Sequence, residues 1–185
     1  DADGGGLFTS TYLSILNSDL SNNRAEGNDS GGGAVVADSA SVFLTNSSLT
    51  VNRTTGSSGH GGALFAVRCA LFLRGATISQ NRATGALADG GGIAAFVSDL
   101  TVNGSTVAFN EAESGGGIAF VAADENLISV ENSIVARNAD FSAASDLRLV
   151  AEPELISVQA SLIGDNRGTD LTEAQTPDEF GNLIG

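Results

Sequence analysis

An asparagine that returns at an almost constant interval constrains the fold of this chain more than any other feature. The intervals between its successive members are 29, 29, 29, 28 and 28 residues. The column consists of Asn23, Asn52, Asn81, Asn110, Asn138 and Asn166. A fixed period of this length is typical of repeat proteins, in which each repeat forms one structural unit that stacks on the next. The sequence therefore predicts about six rungs of 28–29 residues in one domain.

Aliphatic residues form three further columns ahead of the asparagines. Leu, Ile or Val stands ten, eight and three positions before every asparagine, as Leu13, Ile15 and Leu20 stand before Asn23. Ser or Ala always lies five positions before it. Apolar columns two residues apart, broken by Gly and Asn, indicate about three short strands per rung rather than helices. One rung cannot bury its own apolar face, so the rungs must stack around one continuous core.

A pair of glycines followed by an apolar residue opens most rungs. The pairs are Gly5-Gly6, Gly32-Gly33, Gly61-Gly62, Gly91-Gly92 and Gly116-Gly117. Glycine permits positive φ and close backbone approach, while asparagine tolerates the left-handed conformation and can bond to its stacked copies. Both columns are interpreted as structural corners. The chain is therefore predicted to be an all-β, right-handed parallel β-helix, also called a β-solenoid.

The glycine marker, together with an asparagine that closes a strand as in Phe109-Asn110, is similar to the repeats of bacterial surface β-helix proteins. These include the polymorphic outer-membrane proteins, with their GGA[ILV] and FxxN repeats. The C-terminal run SLIGDNRGTDLTEAQTPDEFGNLIG resembles secreted β-helix proteins that carry an anchor domain of the choice-of-anchor type. The resemblance covers nearly the whole chain, and it implies the fold and an extracellular or cell-surface location.

Two segments are expected, a parallel β-helix over residues 1–167 and an extended tail or partial rung over residues 168–185. The residues Asn182-Leu183-Ile184-Gly185 repeat the pattern of Ser161-Leu162-Ile163-Gly164, as though a seventh rung began there. The last full rung is irregular, because Asp146-Leu147-Arg148-Leu149 stands where a glycine pair is expected and Pro153 interrupts the following corner.

The two ends of a parallel β-helix expose unpaired strand edges, which another chain can extend by strand addition. Subunits that join head to tail in this way form a filament. No amphipathic capping helix is recognisable at the start, where Asp1-Ala2-Asp3 leads directly into glycine-rich sequence. We therefore expect self-association end to end. The predicted interface residues are Gly4, Gly5, Gly6, Leu7, Phe180, Leu183 and Ile184.

The charge of the chain limits its partners. The formal net charge is −14, all eight basic residues are Arg, and Lys, Met and Trp are absent. A chain this acidic repels nucleic acid and anionic membranes. No apolar run is long enough for a membrane helix, so no membrane insertion is expected. The chain reads as a mature or trimmed product, and charge alone would allow it to attract Ca²⁺.

The residues that could carry chemistry are interpreted as structural or solvated. His60 is the single histidine and reads as a turn residue, while Cys69 is the single cysteine and reads as a small buried apolar residue. No catalytic or cofactor-binding residue, and no cofactor, is predicted, and any metal site stays open. Acidic residues stand singly at corners, as Asp29, Asp89, Glu111, Glu113, Asp140 and Asp165, or in the loop pairs Asp124-Glu125 and Asp178-Glu179. Glycosylation sequons begin at Asn28, Asn46, Asn52 and Asn103.

Three functions remain open at this point. The first is a non-catalytic extracellular structural solenoid that stacks end to end into a surface filament. The second is an adhesin or stalk segment that binds sugar or protein along a lateral face. A polysaccharide lyase or hydrolase is third, and the chain is not predicted to be an enzyme. Exposed aromatic residues along one face would favour sugar binding, but Tyr12 is the only Tyr and Trp is absent, so such a row is not predicted.

Overall fold

A computed structural model describes residues 4–123, 125–141, 146–150 and 156–185. The sequence features at Asp1-Ala2-Asp3, Asp124 and Pro153 lie outside these residues. The described residues form 24 short strands and no helix. Every pair of neighbouring strands is parallel, and the strands build four sheets that wrap around one core. The chain is thus a parallel β-solenoid, as its repeat predicts.

Successive turns of the solenoid add their strands to the four sheets in chain order. Sheet 1 comprises β1 (Leu7–Thr9), β5 (Val35–Asp38), β9 (Leu64–Val67), β13 (Ile93–Phe96), β17 (Ile118–Val121) and β21 (Leu147–Val150). Sheet 2 comprises β2 (Tyr12–Leu16), β6 (Ser41–Thr45), β10 (Ala70–Arg74), β14 (Asp99–Asn103), β18 (Ile128–Glu131) and β22 (Ile156–Gln159). Sheet 3 comprises β3 (Asp19–Ser21), β7 (Ser48–Thr50), β11 (Thr77–Ser79), β15 (Thr106–Ala108), β19 (Ile134–Ala136), β23 (Leu162–Ile163) and β24 (Leu183–Ile184). Sheet 4 comprises β4 (Arg24–Glu26), β8 (Arg53–Thr55), β12 (Arg82–Thr84), β16 (Glu111–Ala112) and β20 (Ala139–Asp140).

The number of strands per turn differs from the expectation of three. Five turns contain all four strands, the sixth contains β21, β22 and β23, and β24 alone represents a seventh. The additional strand is the one in sheet 4, which follows the asparagine column. Its members are two or three residues long, so a period-2 pattern cannot show in the sequence.

The aliphatic columns pair in register across the sheets and fill the interior. In sheet 2, Val42 faces Leu71 and Leu71 faces Leu100 along one column. The neighbouring inward column contains Leu44 and Leu73, each only 2% exposed. Full burial of each such side chain stabilises the fold by about 1.5–3 kcal/mol relative to exposure. Because each turn repeats the same columns, the core runs without interruption from Ile15 to Ile184.

The asparagine column forms a hydrogen-bonded ladder at the corner between sheets 3 and 4. Asn81 is 1% exposed, and its backbone N–H and Nδ2 both donate to Oδ1 of Asn110, at 3.0 and 2.9 Å. Asn52 donates in the same way to Asn81. Nδ2 of Asn81 also donates to the Leu49 carbonyl, at 2.9 Å. Each amide therefore satisfies backbone groups that the corner would otherwise leave unpaired.

The ladder ends on a residue that sequence spacing does not indicate. Asn138 donates its N–H and Nδ2 to Oδ1 of Asp146, at 2.8 and 2.7 Å, rather than to Asn166. Asp146 precedes the sheet 1 strand β21, where earlier turns have Gly92 or Gly117, and its side chain enters the space of the next ladder position. Asn166 instead donates to the Leu171 carbonyl. Burial raises the pKa of Asp146, while its bonds from Asn138 act in the opposite direction.

A serine column performs the same task at the corner between sheets 2 and 3. The backbone N–H of Ser105 donates to Oγ of Ser133, and that of Ser133 donates to Oγ of Ser161. Each hydroxyl in turn donates to the carbonyl two residues earlier, as Ser133 does to Glu131. The column ends at Asn182, whose Oδ1 accepts the N–H of Ser161. This is the small-residue column of the sequence, now with a physical role.

At the corner between sheets 3 and 4, the residue in the left-handed conformation is the one directly before each ladder asparagine, not the asparagine itself. Val51 and Phe109 directly precede ladder asparagines and have φ of 58° and 59°. The other residues at this position of the repeat are Asn22, Gln80 and Arg137, with φ of 58° to 60°. The interpretation of the ladder asparagines as left-handed residues was therefore wrong. Their side chains are needed in the ladder, and the preceding residue makes the bend whatever its type.

The glycine marker has two roles, and they fall on successive residues. Gly61 has φ of 60°, in the left-handed region that favours glycine. Gly62 lies so close to the next turn that a Cβ would come 2.2 Å from the Gly91 carbonyl oxygen. By these criteria Gly32 and Gly61 are equivalent to Gly90. The glycine pairs named from the sequence therefore differ by one residue in register between Gly61-Gly62 and Gly91-Gly92.

We expect Asn81→Ala to lower the free energy of unfolding by about 3 kcal/mol, because it leaves two buried donors of Asn52 without an acceptor. Asn166→Ala is the matched control, and it should cost about 1 kcal/mol because it removes a single half-buried bond. Urea unfolding monitored by circular dichroism measures both. Equal losses in the two variants would contradict the ladder assignment.

Candidate functional site

The predicted interface residues lie at opposite ends of the solenoid. Gly4 to Leu7 belong to the N-terminal end, where Leu7 is partly exposed on the first strand of sheet 1. Phe180 and Leu183 are exposed at the C-terminal end. Ile184 is only 4% exposed, because it packs into the core of its own chain.

Residues 168–185 fold over the C-terminal end of the solenoid. The Leu149 N–H donates to the Gly168 carbonyl, and the Ala160 N–H donates to the Phe180 carbonyl. Ala174 and Ile184 exchange two backbone bonds in an antiparallel bridge. A groove of about 590 Å³ remains between this segment and β22. Nδ2 of Asn182 also donates to the Val158 carbonyl, at 2.8 Å. The segment thus covers part of the end, and the rest of the β22 edge borders the groove.

The acidic corner residues stay dispersed in the structure. Asp29 and Glu113 are exposed, Glu111 pairs with Arg82 at 2.8 Å, and Asp165 pairs with Arg167. Within the described part of the chain, no group of three or more His, Cys, Asp or Glu side chains is arranged to hold a metal ion. The remaining acidic corner residues are Asp89, described with His60 below, and Asp140, whose carboxylate accepts the Gly115 N–H.

His60 lies in a small aromatic cluster on the outside of sheet 1. Its ring centroid lies 5.4 Å from that of Phe65 and 5.0 Å from that of Phe96. Its Nδ1 accepts the backbone N–H of Asp89 at 3.3 Å and lies 3.8 Å from Oδ2 of the same residue. Burial lowers the pKa of His60, and the carboxylates of Asp89 and Asp29 act in the opposite direction. The neutral imidazole therefore serves as an acceptor and a packing surface.

Asp89 also binds Arg148, a contact between residues 59 positions apart. Nη1 of Arg148 donates to Oδ1 of Asp89 at 3.0 Å. Phe65, Ala94, Ala119 and Arg148 form one column of sheet 1. The two alanines are fully buried, and the arginine side chain extends over them to Asp89. Asp89 thereby links the third, fourth and sixth turns from outside, a role that sequence reasoning did not find.

Cys69 is buried at the corner between sheets 1 and 2. Its Sγ accepts the Ala40 N–H at 3.4 Å and donates to the Val67 carbonyl, while its own N–H donates to Oγ of Ser98. Burial raises the pKa of the thiol. The cysteine therefore stands in a third polar column, in a position that serine takes one turn later.

The outer face of sheet 2 carries an aromatic row that the sequence reading did not predict. Phe43 and Phe72 are register partners, and their rings stack at 4.8 Å between centroids with 12° between planes. Tyr12 adds a third ring, 5.5 Å from Phe43. The Tyr12 ring is largely exposed, and Phe72 is 40% exposed. The signal was available in the spacing of Phe43 and Phe72, which are 29 residues apart.

A groove continues this row along the solenoid axis. It has a volume of about 440 Å³ and lies between the rings and the polar residues of later turns. Its floor and walls include Phe72, Arg74, Thr101, Asn103 and Glu131. Oε2 of Glu131 accepts Nδ2 of Asn103 at 2.9 Å, and Oε1 accepts the Ser129 hydroxyl at 3.0 Å. These contacts hold the carboxylate in one orientation at the edge of the groove.

Comparisons with known proteins assign no family. A scan against protein-family models, a search of curated proteins and a search of solved structures each found no match to this chain. Among the described residues, no helix has the length and apolarity to span a membrane. The fold and the outer face of sheet 2 thus define the class, a parallel β-solenoid repeat protein with a lateral aromatic groove.

The buried imidazole predicts a pH dependence of stability. Because the folded-state pKa of His60 lies below its unfolded value of 6.5, protonation favours the unfolded chain. The stability that the neutral imidazole contributes is therefore fully present above pH 6.5 and is lost as the pH falls below that value. Urea unfolding between pH 7.5 and 5.5 should show the loss in the wild-type chain and not in His60→Phe, which keeps the ring stack. The raised pKa of Asp146 gives a contribution to stability that increases as the pH falls, in both proteins. The quantity to compare is therefore the difference in unfolding free energy between wild type and variant. A difference that does not change with pH would contradict the assignment.

Proposed function

We propose that this protein is a non-catalytic solenoid of an extracellular or cell-surface protein, and that it presents the outer face of sheet 2 to a sugar or protein ligand. The observation that carries the proposal is the stack of Tyr12, Phe43 and Phe72 beside a polar groove. Large exposed aromatic surface on a folded domain marks interaction sites. The resemblance of the repeats to those of bacterial surface β-helix proteins supports the location.

The interior of the solenoid suits a rigid support for such a face. Each buried side-chain nitrogen or oxygen of the described residues has a hydrogen-bond partner. Three polar columns supply hydrogen bonds at the corners. Cys69 lies within a corner column, and His60 is held between two phenylalanines. The outer side chains are therefore displayed on a backbone whose corners are held by side-chain hydrogen bonds.

The proposal predicts that binding depends on the aromatic row. The wild-type protein is applied to arrays of glycans and of extracellular-matrix proteins, and ligands that bind are titrated against Phe43→Ser/Phe72→Ser. We expect a loss of affinity of about tenfold or more, because each ring contributes apolar contact area. Phe109→Ser is the control, since it removes an exposed ring at the corner between sheets 3 and 4, away from the outer face of sheet 2. Equal affinities of the two variants, or no ligand on either array, would refute the proposal.

End-to-end assembly is a second candidate, favoured by the terminal strands β2 and β22 of sheet 2. Thr11 O and Asn17 N bond to the second turn, so the alternate residues Tyr12, Ser14 and Leu16 direct their backbone groups away from it. At the other end, the groove lies along β22, where the Val158 carbonyl already accepts Nδ2 of Asn182. Leu13 and Ile15 belong to the same inward columns as Ile156 and Val158. Because β24 already occupies sheet 3 of the seventh turn, a second copy would pair through sheet 2.

Ser14→Pro tests this assembly, since proline removes an N–H that faces away from the second turn and so blocks strand addition. We expect the wild-type protein and the control Ser14→Thr to form oligomers as concentration rises, and Ser14→Pro to remain monomeric. Sedimentation velocity and electron microscopy are the measurements. Monomers of the wild-type chain at all concentrations, or oligomers of Ser14→Pro, would exclude pairing through this edge.

A further inference from the structure

The aromatic stack on sheet 2 stops at a position where the solenoid leaves room for one more ring. The outward column reads Ser14, Phe43, Phe72, Thr101 and Ser129 from turn to turn. Phe43 covers one face of the Phe72 ring, and the other face points towards the level of Thr101. Threonine is much smaller than phenylalanine, so the next place in the stack is part of the groove.

This place has an apolar wall and a polar rim. The wall is the Phe72 ring, and the rim is the adjacent column of Thr45, Arg74, Asn103 and Glu131. Asn103 and Ser129 orient the Glu131 carboxylate, as described above. A ring that stacks on Phe72 would therefore meet hydrogen-bonding side chains along one edge. That combination suits a saccharide, which has an apolar C–H face and a periphery of hydroxyl groups.

The charges of the groove favour a neutral sugar. Arg74 and Glu131 are its two charged residues and balance each other, while the chain as a whole carries −14. A polyanionic glycan would gain little from a groove without net positive charge and would be repelled by the rest of the surface. A plain aromatic side chain would leave the polar rim poorly used, because desolvated polar groups require partners.

We propose that the groove binds a neutral glycan, with one pyranose ring stacked on Phe72 at the level of Thr101 and its hydroxyl groups bonded to Asn103, Glu131 and Arg74. This inference rests on the proposed function and specifies the class of ligand and its binding site on sheet 2. Neighbouring sugars would follow the outward column towards Ser129 and Ser157, which continues the hydroxyl-bearing face.

The test places a protein side chain in the proposed sugar site. Thr101→Phe would extend the stack by a fourth ring and occupy the place of the sugar, and Thr101→Ser is the matched control that leaves it open. The probes are hexasaccharides of β-1,4-linked glucose, of β-1,4-linked N-acetylglucosamine and of α-linked mannose. A galacturonate hexamer serves as the charged comparison. Isothermal titration calorimetry gives the affinities, and thermal unfolding verifies that each variant folds.

We expect at least one neutral hexasaccharide to bind the wild-type protein and Thr101→Ser with similar affinity, and to bind Thr101→Phe at least about tenfold more weakly. Phe72→Leu, which keeps an apolar side chain but removes the flat ring, should weaken binding by about five- to tenfold. The galacturonate hexamer should bind more weakly than the neutral probe.

Three results would overturn the inference. They are the absence of binding by every neutral probe, equal affinity of Thr101→Phe and wild type, and tighter binding of galacturonate than of neutral sugar. If no neutral probe binds, but a matrix protein binds and Phe43→Ser/Phe72→Ser abolishes that binding, the ligand-binding face is retained and only the sugar is excluded. If the wild-type protein binds neither a sugar nor a matrix protein, the proposed function itself is rejected.

Discussion

The structure depends on hydrogen bonds that side chains supply at the corners, where the backbone ladder between turns would otherwise be interrupted. A chain that bends sharply between strands leaves buried N–H groups without a carbonyl partner, and each such group is costly. In this solenoid the side chain of the next turn accepts them, as Asn110 does for Asn81 and Ser133 does for Ser105. One corner residue therefore depends on its equivalent in the next turn, and this dependence enforces the repeat.

The same register determines the outer surface. Because equivalent residues stand one turn apart, any side chain that recurs on an outward column contacts its copy, as Phe43 contacts Phe72. A change of residue type along such a column then creates a feature, here the step from Phe72 to Thr101 that opens the groove. The proposed binding seat is thus a local exception in a repeat, built on a backbone that the repeat holds in place.

The C-terminal end shows how the solenoid closes its polar columns. Asp146 accepts from Asn138 in one column and Asn182 accepts from Ser161 in another, although neither belongs to the 28–29-residue period. In both cases a polar side chain of another residue type supplies the acceptor that the repeating residue would have supplied. The last turns therefore retain their corner bonds, and β22 borders the groove beside the C-terminal segment.

The sequence by itself determined the solenoid, its core columns and the stacking of its asparagines, because these interactions join equivalent positions at a constant spacing that can be counted. It also indicated that Leu183 and Ile184 repeat Leu162 and Ile163, which they pair with. Only the tertiary structure decided the contacts between non-equivalent positions. The bond from Asn138 to Asp146 spans eight residues, that from Arg148 to Asp89 spans 59, and Tyr12 meets Phe43 diagonally across strands. No period records such contacts, since they depend on which side chain is long enough, or its neighbour small enough, to reach across a turn.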